Sequence, residues 1–327
     1  MFYAGFDIHQ KFIYATVLDE NSQIVQQGKF LTREADLDNF LGFLPPKQVK
    51  VVMESCGIWE DFYDVLMSKG YDVCLANPQA VKAIASAKIK NDKIDSEILA
   101  KLLKADLIPK SYIPTKEVRE LRYLVRHRKI LIKHRTKVKN NIHQILRIKN
   151  IKHGFRDVFT QKGVMYLKSL NHDRINCFLR IMETLNKEID ELDQKLKDNK
   201  TSAKEVHLLQ TMPGIGKYAA QVIQSEIGDI KRFSSPKKLC NYAGIVPSQN
   251  QSGEQDYKGR ITKVGSRNLR WILVQGGQVA VCLPNKLQKY YYKLAKKKSR
   301  SKAIIAVARK MLTIQWHMLK NKEPYIE

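Results

Sequence analysis

The sequence has 327 residues, enough for two or three domains with real cores, and 43% of them are hydrophobic, which excludes a disordered chain. The formal net charge is +26, but it is unevenly placed: residues 1–110 carry −2, residues 111–200 carry +12 and residues 201–327 carry +16. A charge-balanced head on a strongly basic body excludes a generic solubility device and reads as an electrostatic footprint for a polyanion.

In the head, Phe2 to Phe6 is a short apolar run ending in Asp7, the pattern of a buried strand. Lys11 to Leu18 is rich in β-formers, Asp19 to Ser22 is turn chemistry, and Ile24 to Phe30 returns as a hairpin partner. A helix over Glu34 to Leu44 is stopped by Pro45 and Pro46. Val49 to Met53 is a further strand ending in Glu54, followed by a helix from Ile58 to Lys69 and a strand from Tyr71 to Leu75. Asn77-Pro78 opens helical sequence that runs, with an interruption, to Lys104. The order β-β-β-α-β-α-β-α predicts an α/β ribonuclease-H-like fold over residues 1–110.

The acids of this head fall at consequential places. Asp7 and Glu54 end strands. Asp92 and Asp95 lie three apart in KNDKIDSEILAKLL and share one helix face with Leu99 and Leu102, which points them toward the sheet. Each alone reads more simply as a cap or a solvated residue, and Asp92 as an N-cap. Together they suggest a cation site. Two carboxylates about 4 Å apart repel by roughly 4 kcal/mol at an effective dielectric near 20, and hard divalent cations prefer such oxygen ligands. Two such ions can clamp the attacking and leaving oxygens of a phosphodiester.

Residues 111–200 predict a long helical arm. In Lys116 to Ile148, Leu124, Leu131, Val138 and Ile145 recur every seven residues; in Asp173 to Lys197, Ile175, Met182, Ile189 and Leu196 do the same. This is coiled-coil patterning, read either as two antiparallel helices of one chain or as a dimerising arm. Arg122, Arg126, Lys133 and Lys137 belong to a basic stripe on the first helix, expected to contact nucleic acid.

Residues 201–327 read as mainly α-helical. Thr211-Met212-Pro213-Gly214-Ile215-Gly216-Lys217 joins two helices as in a helix-hairpin-helix, with Lys217 and the following N–H groups available to phosphate; an ordinary helix–helix turn fits equally. Helical sequence from Phe233 to Tyr242 leads into PSQNQSGEQDYKGRITKVGSRNLR, expected as a polar loop. It holds Ser252-Gly253, with Lys258, Arg260, Lys263 and Arg267 close by. A Ser-Gly pair is ordinary turn chemistry, but beside such charge it is also a small nucleophile next to phosphate-binding groups. An apolar stretch from Trp271 to Val281 and an amphipathic helix from Ala303 to Leu319 complete the chain.

The five cysteines have no zinc-ligand spacing, and reduced thiols in a cytosolic protein are expected. Asp7 and His9 interrupt any early apolar run, so no signal peptide is expected, and no membrane role. A sequence-reading module such as a helix-turn-helix or zinc finger is not apparent.

The segments GFDIHQK, VVMESCGIW, KNDKIDSEILAKLL, TMPGIGKYAA, AGIVPSQNQSGEQDYKGRITKVGSRNLRWIL and RSKAIIAVARKMLTIQWHMLKN together resemble the DEDD transposases of the insertion-sequence-110 family, over nearly the whole chain. The resemblance implies a RuvC-like catalytic domain over residues 1–110, a coiled-coil dimerisation and nucleic-acid-binding arm over 111–200, and a transposase domain with a catalytic serine over 201–327. It implies that Asp7, Glu54, Asp92 and Asp95 bind Mg²⁺ or Mn²⁺ and that Ser252 forms a 5′-phosphoserine link to DNA. The implied partners are donor and target DNA, a structured noncoding guide RNA, and further copies of the chain, dimers assembling to a tetramer in which one subunit's acids meet another's serine. The implied setting is the bacterial or archaeal cytoplasm, at the nucleoid. Guidance by RNA accounts for the missing sequence reader, because base pairing then supplies specificity. The competing expectation is a RuvC-type structure-specific nuclease that uses metal-activated water.

Overall fold

The computed structural model describes residues 1–55, 57–85, 91–252 and 255–326. The chain divides into two compact units, Met1–Ile113 and Pro114–Glu327.

The first unit is built on a six-stranded sheet. Its elements are β1 (Phe2–Ile8), β2 (Phe12–Leu18), β3 (Ile24–Leu31), α1 (Glu34–Leu41), β4 (Val49–Glu54), α2 (Trp59–Ser68), β5 (Asp72–Ala76), α3 (Pro78–Ile84), α4 (Asp92–Lys104) and β6 (Lys110–Ser111). The strand order is β3-β2-β1-β4-β5-β6; β1, β4 and β5 are parallel and the other pairings antiparallel. β4 shows why the sheet is central: Val51 and Met53 enter a core with Leu37, Leu41, Phe62 and Leu66, while Val52 enters another with Leu99, Leu102 and Leu103 of α4. Both faces are covered, so the strand reads as a continuous apolar run. The mixed α/β arrangement is compatible with a ribonuclease-H-like domain, and the two-residue β6 is an addition to the expected order.

α4 starts where the sequence provides a cap. The Asn91 side chain accepts from the Lys93 N–H at 3.0 Å, so Asn91 rather than Asp92 is the N-cap. Asp92 and Asp95 occupy the first turn, where the helix dipole favours negative charge. α4 lies unusually close to β1: a Cβ on Gly5 would sit 2.2 Å from the Ser96 carbonyl oxygen and 2.5 Å from the Ala100 nitrogen. A buried bond of 2.7 Å between Thr16 Oγ1 of β2 and Ser96 Oγ ties α4 to the neighbouring strand as well.

The second unit begins with α5 (Lys116–Ile148), α6 (Gln161–Ser169) and α7 (Asp173–Asp198). Arg128 pairs with Asp193, and Arg135 Nη1 donates to Asn186 Oδ1 at 2.9 Å. A step up α5 is thus a step down α7, and the two helices run antiparallel within the chain. Val138, Ile142, Ile145 and Leu146 pack there with Leu167, Ile175, Leu179 and Met182. At the other end Leu121, Val125 and Leu196 enter the core of the remaining elements. These are α8 (Ala203–Gln210), α9 (Lys217–Ile227), α10 (Pro236–Tyr242), β7 (Pro247–Ser252), β8 (Gln255–Ile261), α11 (Arg267–Ala280), α12 (Lys286–Ala295) and α13 (Arg300–Asn321).

The segment expected as a polar loop is instead an antiparallel hairpin, with Gln249 opposite Lys258, Gln251 opposite Asp256 and Ser252 opposite Gln255. The β7 sequence PSQNQS has no apolar residue after its proline, so that strand lacks the period-two alternation by which a strand is recognised. Gly253 and Glu254, at the tip, lie outside the described residues.

Candidate active site

The sheet register brings the first two acids together. Parallel pairing of β1 with β4 sets Phe6 beside Met53, which carries Asp7 and Glu54 out at the same edge, the C-terminal end of both strands. In open α/β sheets this edge is where ligands bind. The close seat of α4 on β1 delivers its first turn to the same place. Asp7, His9, Glu54, Asp92 and Asp95 line one cavity of about 450 Å³, together with Pro78, Lys82 and Leu99.

His9 was not among the expected residues. Its Nε2 is 3.2 Å from Asp7 Oδ2 and 3.5 Å from Asp92 Oδ1, and its ring lies 4.6 Å from that of Phe12. Ligand atoms of Asp7, His9 and Asp92 lie within 4.8 Å of one another. The sequence carried a signal, since in extended chain a residue two positions on from Asp7 returns to the same face.

Burial pushes the Asp7 carboxyl above its usual value. His9 pulls it back, and the charges of Asp92 and Asp95 add to the upward push. A half-buried carboxylate crowded by two others is short of positive charge. Oxygen donors with one imidazole nitrogen suit a divalent cation, and these residues therefore form a candidate metal centre.

Two family models match the sequence. One for DEDD transposases of the IS110 type, described as "Transposase", matches residues 4–151. The other, "Transposase IS116/IS110/IS902 family", matches residues 206–292. The chain belongs to the IS110 family of DEDD transposases. It is 25% identical over 288 residues to the transposase for insertion sequence element IS1111A of Coxiella burnetii, covering 84% of this chain and 79% of that protein. A probable family 20 transposase of Pseudomonas aeruginosa is 24% identical over 98% of this chain and 97% of its own length. The pilin gene-inverting protein of Moraxella bovis is 28% identical over 84% of this chain and 81% of its own length. This IS110-family transposase is thus a DNA-processing enzyme. Among its described residues, no helix is long and apolar enough to cross a membrane.

The other expected site residues of the transposase lie in the second unit. Ser252 ends β7; its side chain, like that of Lys258 in β8, lies outside the described part. The root of the hairpin is well anchored. Thr262 N–H donates to the Val246 carbonyl, Lys263 N–H to Gly244 and Ser266 N–H to Tyr242. Ser266, the N-cap of α11, also donates through Oγ to Glu226 Oε2 at 2.9 Å. Glu226 is only 1% exposed and is held by the Arg126 fork at 2.9 and 3.0 Å and by Asn268 Nδ2 at 3.3 Å.

This network changes the reading of the basic stripe. Arg126 serves Glu226, and Arg122 donates twice to the Ser225 carbonyl, at 3.0 and 2.8 Å. Both guanidinium groups are engaged in joining α5 to α9. Lys133, Lys137, Arg260, Lys263 and Arg267 are exposed. Lys217 is exposed too, and its Nζ donates to the Lys197 carbonyl at 3.1 Å. In the adjoining turn, Gly214 has φ of +83° and a Cβ there would lie 2.3 Å from the Gly276 carbonyl oxygen. Its glycine is required for packing on α11.

Proposed function

We propose that this transposase cuts and rejoins DNA at an insertion sequence through a 5′-phosphoserine intermediate on Ser252, assisted by Mg²⁺ or Mn²⁺ at Asp7, Glu54, Asp92 and Asp95. The observation that carries the reading is the meeting of those four acids at one sheet edge, in a cavity that two strands and one helix turn build jointly. Asp7, Glu54, Asp92 and Asp95 would hold a divalent cation, which would supply stabilisation of the negative charge developing on phosphate oxygens and lower the proton affinity of an attacking hydroxyl.

The chain's own groups do the rest. The Ser252 hydroxyl attacks a phosphodiester phosphorus, its Oγ–P bond forms, and the P–O3′ bond breaks to leave a 3′-hydroxyl. Attack of a 3′-hydroxyl on the phosphoserine reverses these bonds and reseals a strand. Bond energy is kept in the covalent link, so exchange needs no nucleotide triphosphate. The exposed Lys263, Arg260 and Arg267 beside the hairpin, with Lys258, position the strand electrostatically. Glu226 holds the hairpin root in place.

The reading extends to the family-level expectations. A RuvC-like first unit supplies the acids; a structured guide RNA supplies sequence choice; and α5 with α7 serves as a coiled-coil arm through which dimers form and assemble to a tetramer. The acids of one subunit meet the serine of another.

A nuclease using activated water is the second reading, favoured by one observation: the whole carboxylate set lies within Met1–Ile113. Incubation with cognate RNA, DNA and Mg²⁺, followed by a denaturing gel, separates the two. The wild type leaves a protein–DNA adduct that Ser252→Ala lacks. Recombination by Ser252→Ala removes the serine from the mechanism and leaves the nuclease.

A further inference from the structure

The second unit contains a cavity of about 640 Å³ that the proposed chemistry does not use. One wall is a face of α5, bearing Lys129, Ile132, Lys133 and Lys137. Tyr218 of α9 and Trp271 of α11 form the other. Among the described residues no carboxylate lines it.

Its walls are rigidly set. The Tyr218 hydroxyl donates to the Val125 carbonyl at 2.9 Å, and the Arg128 guanidinium lies over the Tyr218 ring at 4.4 Å while pairing with Asp193. Lys129 Nζ lies 4.1 Å from the centre of the Trp271 ring and donates to Asn268 Oδ1 at 2.7 Å. The hydrogen-bond partner of Lys129 is a neutral amide. Burial, and then the charge of Arg267, hold its ammonium below the usual lysine value; Glu226 pulls the other way, but Arg126 and Lys133 add to the depression and the downward push wins. Positive charge is in local excess at this wall, and an anion would relieve it.

Phosphate contacts to a duplex need only exposed cations on a surface. A concave site of this size, with aromatic and aliphatic walls beside lysines, has the dimensions and the mixed lining of a small-ligand pocket. The ligand that joins a flat π-face to a phosphate is a nucleotide, and aromatic walls in a basic groove are how single strands are held.

We propose that this cavity holds an unpaired nucleotide of a single-stranded polynucleotide, with its base against Trp271 and its flanking phosphates on Lys133 and Lys137. The proposal rests on the chain being a nucleic-acid enzyme but not on Ser252 being its nucleophile. A guided exchange of strands generates unpaired nucleotides in both DNA and RNA, and the chemistry of the pocket is common to the two.

Binding of the full-length protein to a short unstructured oligonucleotide, as DNA and as RNA, and to the blunt DNA duplex of the same length, tests it by fluorescence anisotropy. Trp271→Ala is expected to weaken single-strand binding about tenfold or more, with Trp271→Phe retaining most of it, because base stacking on an aromatic is worth about 1–3 kcal/mol. Duplex binding stays within about twofold, since backbone contacts dominate there. The tighter of the DNA and RNA arms identifies the source of the strand. In the wild type the oligonucleotide quenches tryptophan fluorescence, and Trp271→Phe removes that quenching. Equal losses on single strand and duplex, or no loss on either, overturn the proposal. If Trp271→Ala does not fold, the exposed pair Lys133→Gln/Lys137→Gln decides. It should lower the slope of log K against log salt for single strands by about 1.4, and an unchanged slope overturns the proposal. Ser252→Ala should bind all three probes as the wild type does, so the pocket and the phosphoserine reading fail separately.

Discussion

Gly5→Ala probes whether the seat of α4 on β1 makes the acidic site. The new methyl carbon would lie 2.2 Å from the Ser96 carbonyl oxygen and 2.5 Å from the Ala100 nitrogen. Both are backbone atoms, and ordinary contact distances are about 3.5 Å, so the helix must retreat by roughly 1 Å. Overpacking of this kind costs about 1–3 kcal/mol. At roughly 4 °C per kcal/mol for a unit of this size, the melting temperature falls by about 4–12 °C. The retreat also draws Asp92 and Asp95 away from Asp7, and a displacement of about 1 Å at a reacting centre can cost on the order of a hundredfold in rate. The expected result is a folded protein with weakened Mn²⁺ binding by calorimetry and strand cleavage reduced about a hundredfold. A folded Gly5→Ala variant with wild-type cleavage refutes the idea that this close approach positions the acids.

The other predictions concern charge. Mg²⁺ or Mn²⁺ at about a hundred times its dissociation constant should stabilise the protein by about 2.7 kcal/mol, seen as a thermal shift; Asp7→Asn should abolish both that shift and cleavage while leaving nucleic-acid binding intact. His9→Ala, removing the imidazole beside Asp7 and Asp92, should weaken Mn²⁺ affinity about tenfold or more, with retention of wild-type affinity assigning His9 a packing role. Glu226 titrates with a definite sign. Burial pushes it upward, but the Arg126 fork, the nearby Arg122 charge and the Ser266 hydroxyl win, and its value lies below the usual 4.5. Its stabilising contribution is therefore present above pH 4.5 and is lost as pH falls through the depressed value. Melting temperature followed down through this window should fall less steeply in Glu226→Gln than in the wild type, and parallel curves contradict the assignment.

Much of the first unit was legible because its signals are local. Apolar runs ended by Asp7 and Glu54, turn residues at Asp19 to Ser22, and the face shared by Asp95, Leu99 and Leu102 each depend on a few neighbouring residues. The helical segment Lys116–Ile148 was equally plain, being long and strongly periodic. The hairpin carrying Ser252 was not, because the polar run PSQNQS shows no apolar alternation. Nor were the true partners of Arg122 and Arg126, which lie about a hundred residues away on α9.

The sequence by itself determined the order of elements in the first unit apart from β6, the position of the acids at strand ends and a helix start, and the segregation of basic charge. Periodicity, capping and turn chemistry are short-range properties that a linear string carries. Only the tertiary structure decided that the four acids face one cavity with His9 among them, and that two arginines of the basic stripe serve an internal carboxylate. It alone showed that Trp271 and Tyr218 close a basic cavity against α5. Each of these depends on sheet register or helix packing between residues far apart in the chain, and such distances are set by the fold as a whole.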